Sequence, residues 1–211
     1  MKKAFTMIEL IFVIVVIGIL AAVVMPRSGS NKLQEAATQV VSHIRYTQHL
    51  AMIDDKFDSN DSTWFRERWQ IRFRRNSGSS GYVIFSDSIT TQGNVNNGEE
   101  AVDPLSKQRM NGHNGWSNGD LTVKYGIFGD DSGIVQSCFT ADGSLVTSNR
   151  GVFVFDHLGR PYSGVSNAAS PTDYLMTTNC DINLTSAEGT VTIRVHPETG
   201  YACILNGNVC Q

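Results

Sequence analysis
From Ala4 to Met25 the chain reads AFTMIELIFVIVVIGILAAVVM, an apolar run with Glu9 as its one charge. The run shows no polar face, so as a helix it would be hydrophobic all round. An apolar stretch of roughly 20 residues is long enough to cross a bilayer. The pattern then changes. Over residues 33–53, Leu33, Ala37, Val40, Val41, Ile44, Thr47 and Ala51 recur at helical spacing, while Lys32, Glu35, Gln39, Arg45 and Gln48 face elsewhere. This predicts an amphipathic helix. Ser28, Ser30 and Asn31 are plausible caps if Pro26 interrupts the helix before it. Beyond residue 64 the period falls to two: Trp69, Ile71 and Phe73 alternate with Arg68, Gln70, Arg72 and Arg74. A second strand is predicted over 81–85, and others over 121–128, 134–139, 151–156, 190–196 and 200–205. Gly, Asn, Asp and Ser fill the loops between them. Short strands with frequent turns point to an antiparallel sheet or sandwich packed on the helix.

Composition and charge narrow the classes. The 211 residues carry 17 Lys+Arg and 20 Asp+Glu, a net charge of -3. Setting aside Lys2, Lys3, Arg27 and Glu9 leaves 14 basic and 19 acidic residues, about -5 for the remainder. The chain is therefore not a polycation built to wrap nucleic acid. Lys2 and Lys3 precede the apolar run, which predicts a cytoplasmic N-terminus and a globular domain on the far side of a membrane. That compartment permits disulfides. Cys203 and Cys210 flank the turn-like Asn206-Gly207-Asn208, a spacing that suits a small disulfide loop, and Cys138 and Cys180 would then pair by elimination. Free thiols and metal ligation are the alternatives. No C-x-x-C is present, and His43, His49, His113, His157 and His196 have no paired-ligand spacing, so no metal or cofactor is expected.

Two motifs are decoys. Gly115-Trp116-Ser117-Asn118-Gly119 matches a nucleophile elbow as a string, but a loop precedes it and a strand-like segment follows, where an elbow needs a buried strand before and a helix after. The polar loop Asp54–Thr63 misses the calcium-loop spacing and its glycine. Nucleotide-binding glycine patterns are absent. No enzyme activity is expected.

Glu9 decides how the N-terminal segment is read. An ordinary secretory signal and a plain anchor with an incidental acid are two readings. The third makes Glu9 functional, because an ionisable group in an apolar span costs on the order of 2.5 kcal/mol or more and persists when it has a partner. Lys3-Ala4-Phe5-Thr6-Met7-Ile8-Glu9-Leu10 resembles the class III signal of type IV prepilins and pseudopilins. The resemblance implies that a prepilin peptidase cuts between Ala4 and Phe5 and N-methylates Phe5. Ala4 stands where the family usually has Gly. Glu9 would then be the fifth residue of the mature chain, facing the N-terminal ammonium of a neighbouring subunit. Gly18 and Pro26 are expected to let the helix bend or locally melt.

The rest of the chain is similar to the GspH/FimT-like minor pseudopilins and minor pilins. Ile44–Ala51, Tyr82–Asp87, Val154–Pro161 and Val191–Gly200 carry that resemblance. It implies an α+β, pilin-like fold: a long N-terminal hydrophobic helix packed on an antiparallel sheet or sandwich. The expected organisation is a leader over 1–4, a transmembrane and assembly helix over 5–26, its amphipathic half over 27–54, and a β-rich periplasmic or extracellular domain over 55–211. The expected function is a minor subunit at the tip or in the priming complex of a type II secretion or type IV pilus filament. It would be held in the bacterial inner membrane before assembly. Its partners would be other pilins, the prepilin peptidase and the inner-membrane assembly platform. The segment Arg66–Arg75 holds five arginines and one acid, with Arg68, Arg72 and Arg74 on one strand face. It is read as a solvated edge strand, a docking strip for acidic pilin neighbours, or a DNA-contacting strip; the absence of basic residues over Tyr201–Gln211 counts against DNA.

Overall fold
The structure is a computed structural model that describes residues 6–24, 32–76, 79–88, 93, 95–112, 135–136, 150–165, 167–186 and 189–211. The chain divides into two compact units, Met1–Asn31 and Lys32–Gln211.

In the first unit, helix α1 spans Met7–Val24 and runs unbroken through Gly18. Thr6 begins it: its carbonyl accepts from the Glu9 and Leu10 amides at 3.1 and 3.2 Å. Pro26 lies outside the described residues.

The second unit is built on α2, Lys32–Ile53. The seven positions expected on its apolar face, from Leu33 to Ala51, are all buried. Two antiparallel sheets meet this face. The first has the order β2-β1-β4-β5, formed by Trp69–Asn76 (β1), Ser79–Ser86 (β2), Arg150–Phe155 (β4) and Pro161–Tyr162 (β5). The second has the order β3-β6-β7-β8-β9, formed by Val135–Gln136 (β3), Cys180–Ser186 (β6), Gly189–Val195 (β7), Ala202–Asn206 (β8) and Val209–Cys210 (β9). Ile71, Phe73, Ile84, Phe153 and Phe155 from the first sheet and Ile182, Leu184, Ile193 and Val195 from the second join Val40, Ile44 and Ala51 in one core. The other face of the first sheet is covered too. There Phe65, Val154, Tyr162, Val165 and Ala168 form a second cluster, and Val83, Phe85 and Val95 a third. At the β2 edge, a Cβ on Gly81 would stand 2.1 Å from the Gly112 carbonyl oxygen, so only glycine permits that approach.

Two expectations need correction. The single long N-terminal helix is not present: the described helices are α1, of 18 residues, and α2, of 22. Pro26 falls between them in sequence, and a proline removes a helix hydrogen bond and clashes with the preceding turn. The inner-membrane placement of a single-pass anchor also fails, since no helix among the described residues is long and apolar enough to cross a membrane. At 18 residues α1 is about 27 Å long, short of the roughly 30 Å hydrocarbon core. Helix α2 falls in the same compact unit as the sheets, Lys32–Gln211. Of the expected strands, 121–128 lies outside the described residues.

Candidate functional site
Thr6 and Glu9 form the N-terminal corner of α1. The Glu9 amide donates to the Thr6 carbonyl at 3.1 Å and to Thr6 Oγ1 at 3.4 Å. Thr6-x-x-Glu9 has the spacing of a capping box, in which the hydroxyl and the carboxylate each serve an amide at the helix start. That spacing is legible in the sequence, where it coincides with the prepilin motif. It gives Glu9 a local role as well, because a carboxylate in the first turn opposes the positive end of the helix dipole. The large apolar side chains of α1 from Met7 to Leu20 are 36% to 80% exposed. Ala4 and Phe5, the expected cleavage and methylation positions, lie outside the described residues.

The arginine strip does not form one solvent face. Arg68 is 5% exposed. Its guanidinium lies over the rings of Trp64, at 5.0 Å, and Tyr162, at 4.7 Å, and donates to the Pro171 carbonyl at 2.9 Å. Burial pulls its pKa down against the opposing pull of Tyr162 and Asp156. Arg66 donates to the Ala168 carbonyl at 2.9 Å, and Arg72 stacks 5.0 Å over the Phe85 ring. Arg66 and Arg68 tie the backbone at Ala168 and Pro171 to the segment leading into β1, and Arg72 covers Phe85 on the neighbouring strand. For Arg74 the backbone pairs with Gly81 and Arg150.

The two turn motifs behind the subgroup resemblance come together. Asp156, 1% exposed, accepts from the amides of Leu158 (3.0 Å) and Arg160 (2.9 Å), from Arg160 Nε (2.7 Å) and from the Tyr162 hydroxyl (3.1 Å). Desolvation would raise its pKa, but these bonds and the Arg160 charge outweigh that and hold it below the usual carboxylate range. Gly159 and Gly200 both have positive φ, 79° and 64°. A Cβ on Gly200 would meet the Gly159 oxygen at 2.4 Å and Gln48 Nε2 at 2.7 Å. Gln48 donates to the carbonyls of Gly159 (2.8 Å) and Thr199 (2.7 Å), tying α2 to one turn from each sheet. Arg45 adds a fork onto the Ala202 carbonyl, at 2.8 and 3.2 Å.

The Cys203–Cys210 disulfide is present, with Cα atoms 5.4 Å apart. Cys180 is buried and disulfide-bonded. Cys138 lies outside the described residues, as do the Gly115–Gly119 string and His113. His43 is half-buried, with Nδ1 2.5 Å from the Tyr82 hydroxyl, whereas His49 is exposed. In the Asp54–Thr63 loop the carboxylates are spent locally: Asp54 holds Lys56 and the Trp69 indole, while Asp61 accepts from the Thr63 amide and hydroxyl.

No family model, curated protein or solved structure matches this chain.

Proposed function
We propose that the chain is a minor pilin-like subunit, a pilin or pseudopilin of a type IV pilus or type II secretion filament, assembled through α1. The observation that carries this reading is α1 itself. It is an apolar helix whose large side chains are exposed from Met7 to Leu20, with one carboxylate in its first turn. Contiguous apolar surface on this scale marks an interaction site. In a filament the helices of neighbouring subunits would cover it, and Glu9 would pair with the N-terminal ammonium of a neighbour. The β-rich unit would then be the part displayed, with the turns around Gln48 keeping its two sheets in register on α2. The Arg66–Arg75 segment supports this reading more than the DNA-binding one, because Arg68 is committed inside the fold.

The test is the N-terminus of the protein isolated from its native cells, read by intact mass and terminal sequencing. The expected chain begins at N-methylated Phe5. A chain that still begins at Met1 would overturn the prepilin reading.

A further inference from the structure
Three metal-ligating side chains meet at one corner of the second sheet. His196 follows β7, and its amide donates to the Tyr201 carbonyl at 2.9 Å, extending the β7–β8 ladder by one bond. Cys203 lies on β8 opposite Arg194, and Cys210 lies on β9 opposite Leu205. Because side chains alternate along a strand, His196, Cys203 and Cys210 share the face turned away from α2. His196 Nε2 is 3.3 Å from Cys210 Sγ, and the imidazole nitrogen and both sulfurs lie within 4.8 Å of one another. A disulfide alone needs no imidazole beside it.

We propose that reduction of Cys203–Cys210 converts this corner into a binding site for a borderline-soft divalent cation of the Zn2+ type, held by His196 Nε2 and the two thiolates, with water completing a tetrahedron. Zn–S and Zn–N bonds of about 2.3 and 2.0–2.1 Å put tetrahedral S···N and S···S edges near 3.6 and 3.8 Å. The nitrogen already stands close to its place. The sulfurs must part, and Cys210 is on a two-residue edge strand paired with β8 alone. His196 is the fixed ligand, since the Gln48 bond to Thr199 anchors the turn that carries it. Arg194, across from Cys203, is already spent on Asp181 at 2.6 and 2.7 Å.

The chemistry balances with a dithiol as reductant. One of its thiolates attacks Cys210 Sγ, the half-buried sulfur, while Cys203 is fully buried. The Sγ–Sγ bond breaks and Cys203 leaves as a thiolate. The second thiol of the reductant resolves the mixed disulfide and frees Cys210. The reductant departs as its own disulfide, having given up two electrons. The two protons it carried first sit on the cysteines and pass to solvent when the cation binds.

The full chain, reduced with a dithiol and desalted without oxygen, is titrated with Co2+ as a spectroscopic stand-in. The expected result is one equivalent bound, with a thiolate-to-cobalt charge-transfer band and tetrahedral ligand-field bands that Zn2+ displaces. The oxidised chain shows neither. His196→Ala, which leaves both cysteines in place, weakens binding at least about tenfold. Cys203→Ser/Cys210→Ser, which keeps Cys180, abolishes the bands. The proposal is overturned if the reduced chain gives no bands, if it loses its near-ultraviolet circular dichroism with cobalt present, if the double variant binds like the parent, or if His196→Ala titrates unchanged.

Discussion
The side-chain amide of Gln48 donates to the Gly159 carbonyl across 2.8 Å, and the same nitrogen reaches Thr199 at 2.7 Å. One nitrogen on α2 therefore joins a turn from each sheet. Both turns need their glycines: φ is 79° at Gly159 and 64° at Gly200, and neither has room for a Cβ. Gln48→Leu fills similar space but takes the donor from the carbonyl of buried Gly159, while Thr199 is exposed to water, and should cost about 1 kcal/mol. Gly200→Ala adds left-handed strain and a backbone clash, and should cost more than Gln48→Leu. Urea unfolding of the two variants checks the order; equal stability of Gly200→Ala and the parent would contradict the geometry.

Asp156 fixes the β4–β5 turn through two backbone amides, a guanidinium and a phenol. Its pKa in the fold lies below its unfolded value. The unfolded chain therefore takes up the proton first as pH falls. The stability this carboxylate contributes is complete above the ordinary value near 3.9 and is lost as pH drops through the folded value. Asp156→Asn keeps the shape but removes the charge-assisted bonds. It should lower stability at pH 7 by about 1.5–3 kcal/mol and flatten the acid limb of the stability curve. Thermal unfolding from pH 7 to pH 3 reads both effects.

His43 gives its pH dependence closer to neutrality. Burial lowers its pKa against a smaller opposing effect from the Asp103 charge, and its ring nitrogen meets the Tyr82 hydroxyl. The folded chain therefore holds a neutral imidazole where the unfolded chain would protonate. Stability should be full above the ordinary histidine value near 6.5 and fall as pH drops through it toward the folded value. The midpoint temperature should decline between about pH 7.5 and pH 5.5 in the parent and decline less in His43→Gln. Parallel curves would remove His43 as the cause.

These sites differ in how far the sequence reveals them. The buried face of α2 is legible because one helix against one core imposes a 3.6-residue period, and Leu33 through Ala51 obey it. Strand β6 is not legible in the same way, although Ile182 and Leu184 are buried while Asp181 and Asn183 are only partly so. Its polar residues make it resemble the loops around it. Arg68 departs from expectation for a different reason: alternation puts it opposite Trp69, Ile71 and Phe73, but Trp64 and Tyr162 close over that face as well. No local period encodes a second covering layer. The juxtaposition of His196 with Cys210, 14 positions apart, follows from the β7–β8–β9 meander rather than from any ligand spacing.

The Cys203–Cys210 bridge closes a short loop, with a sequence separation of 7. Loop-closure entropy for about eight residues gives about 2.5 kcal/mol of stabilisation. Cys203→Ser/Cys210→Ser should lose about that amount, as read by urea unfolding without reductant. A loss below about 0.5 kcal/mol would mean that β9 is held by its pairing with β8 and that the bridge constrains little.

Two proposed roles of Glu9, a cap for α1 and a charge for assembly, can be separated by one substitution. Glutamine also serves at the third helical position of a capping box, so Glu9→Gln keeps the partner of Thr6 while removing the negative charge. Thr6→Val does the reverse, costing about 0.5–2 kcal/mol of helix stability and leaving the carboxylate. If Glu9 pairs with a neighbour's N-terminal ammonium, Glu9→Gln should abolish incorporation into filaments or the tip complex, as read by shearing and immunoblotting, while Thr6→Val is incorporated at reduced yield. If the carboxylate is a cap alone, Glu9→Gln should assemble like the parent and Thr6→Val should be the weaker variant. Against the helix dipole the first-turn charge contributes only about 0.3–1 kcal/mol, so only pairing across a subunit contact makes the glutamine variant the worse of the two.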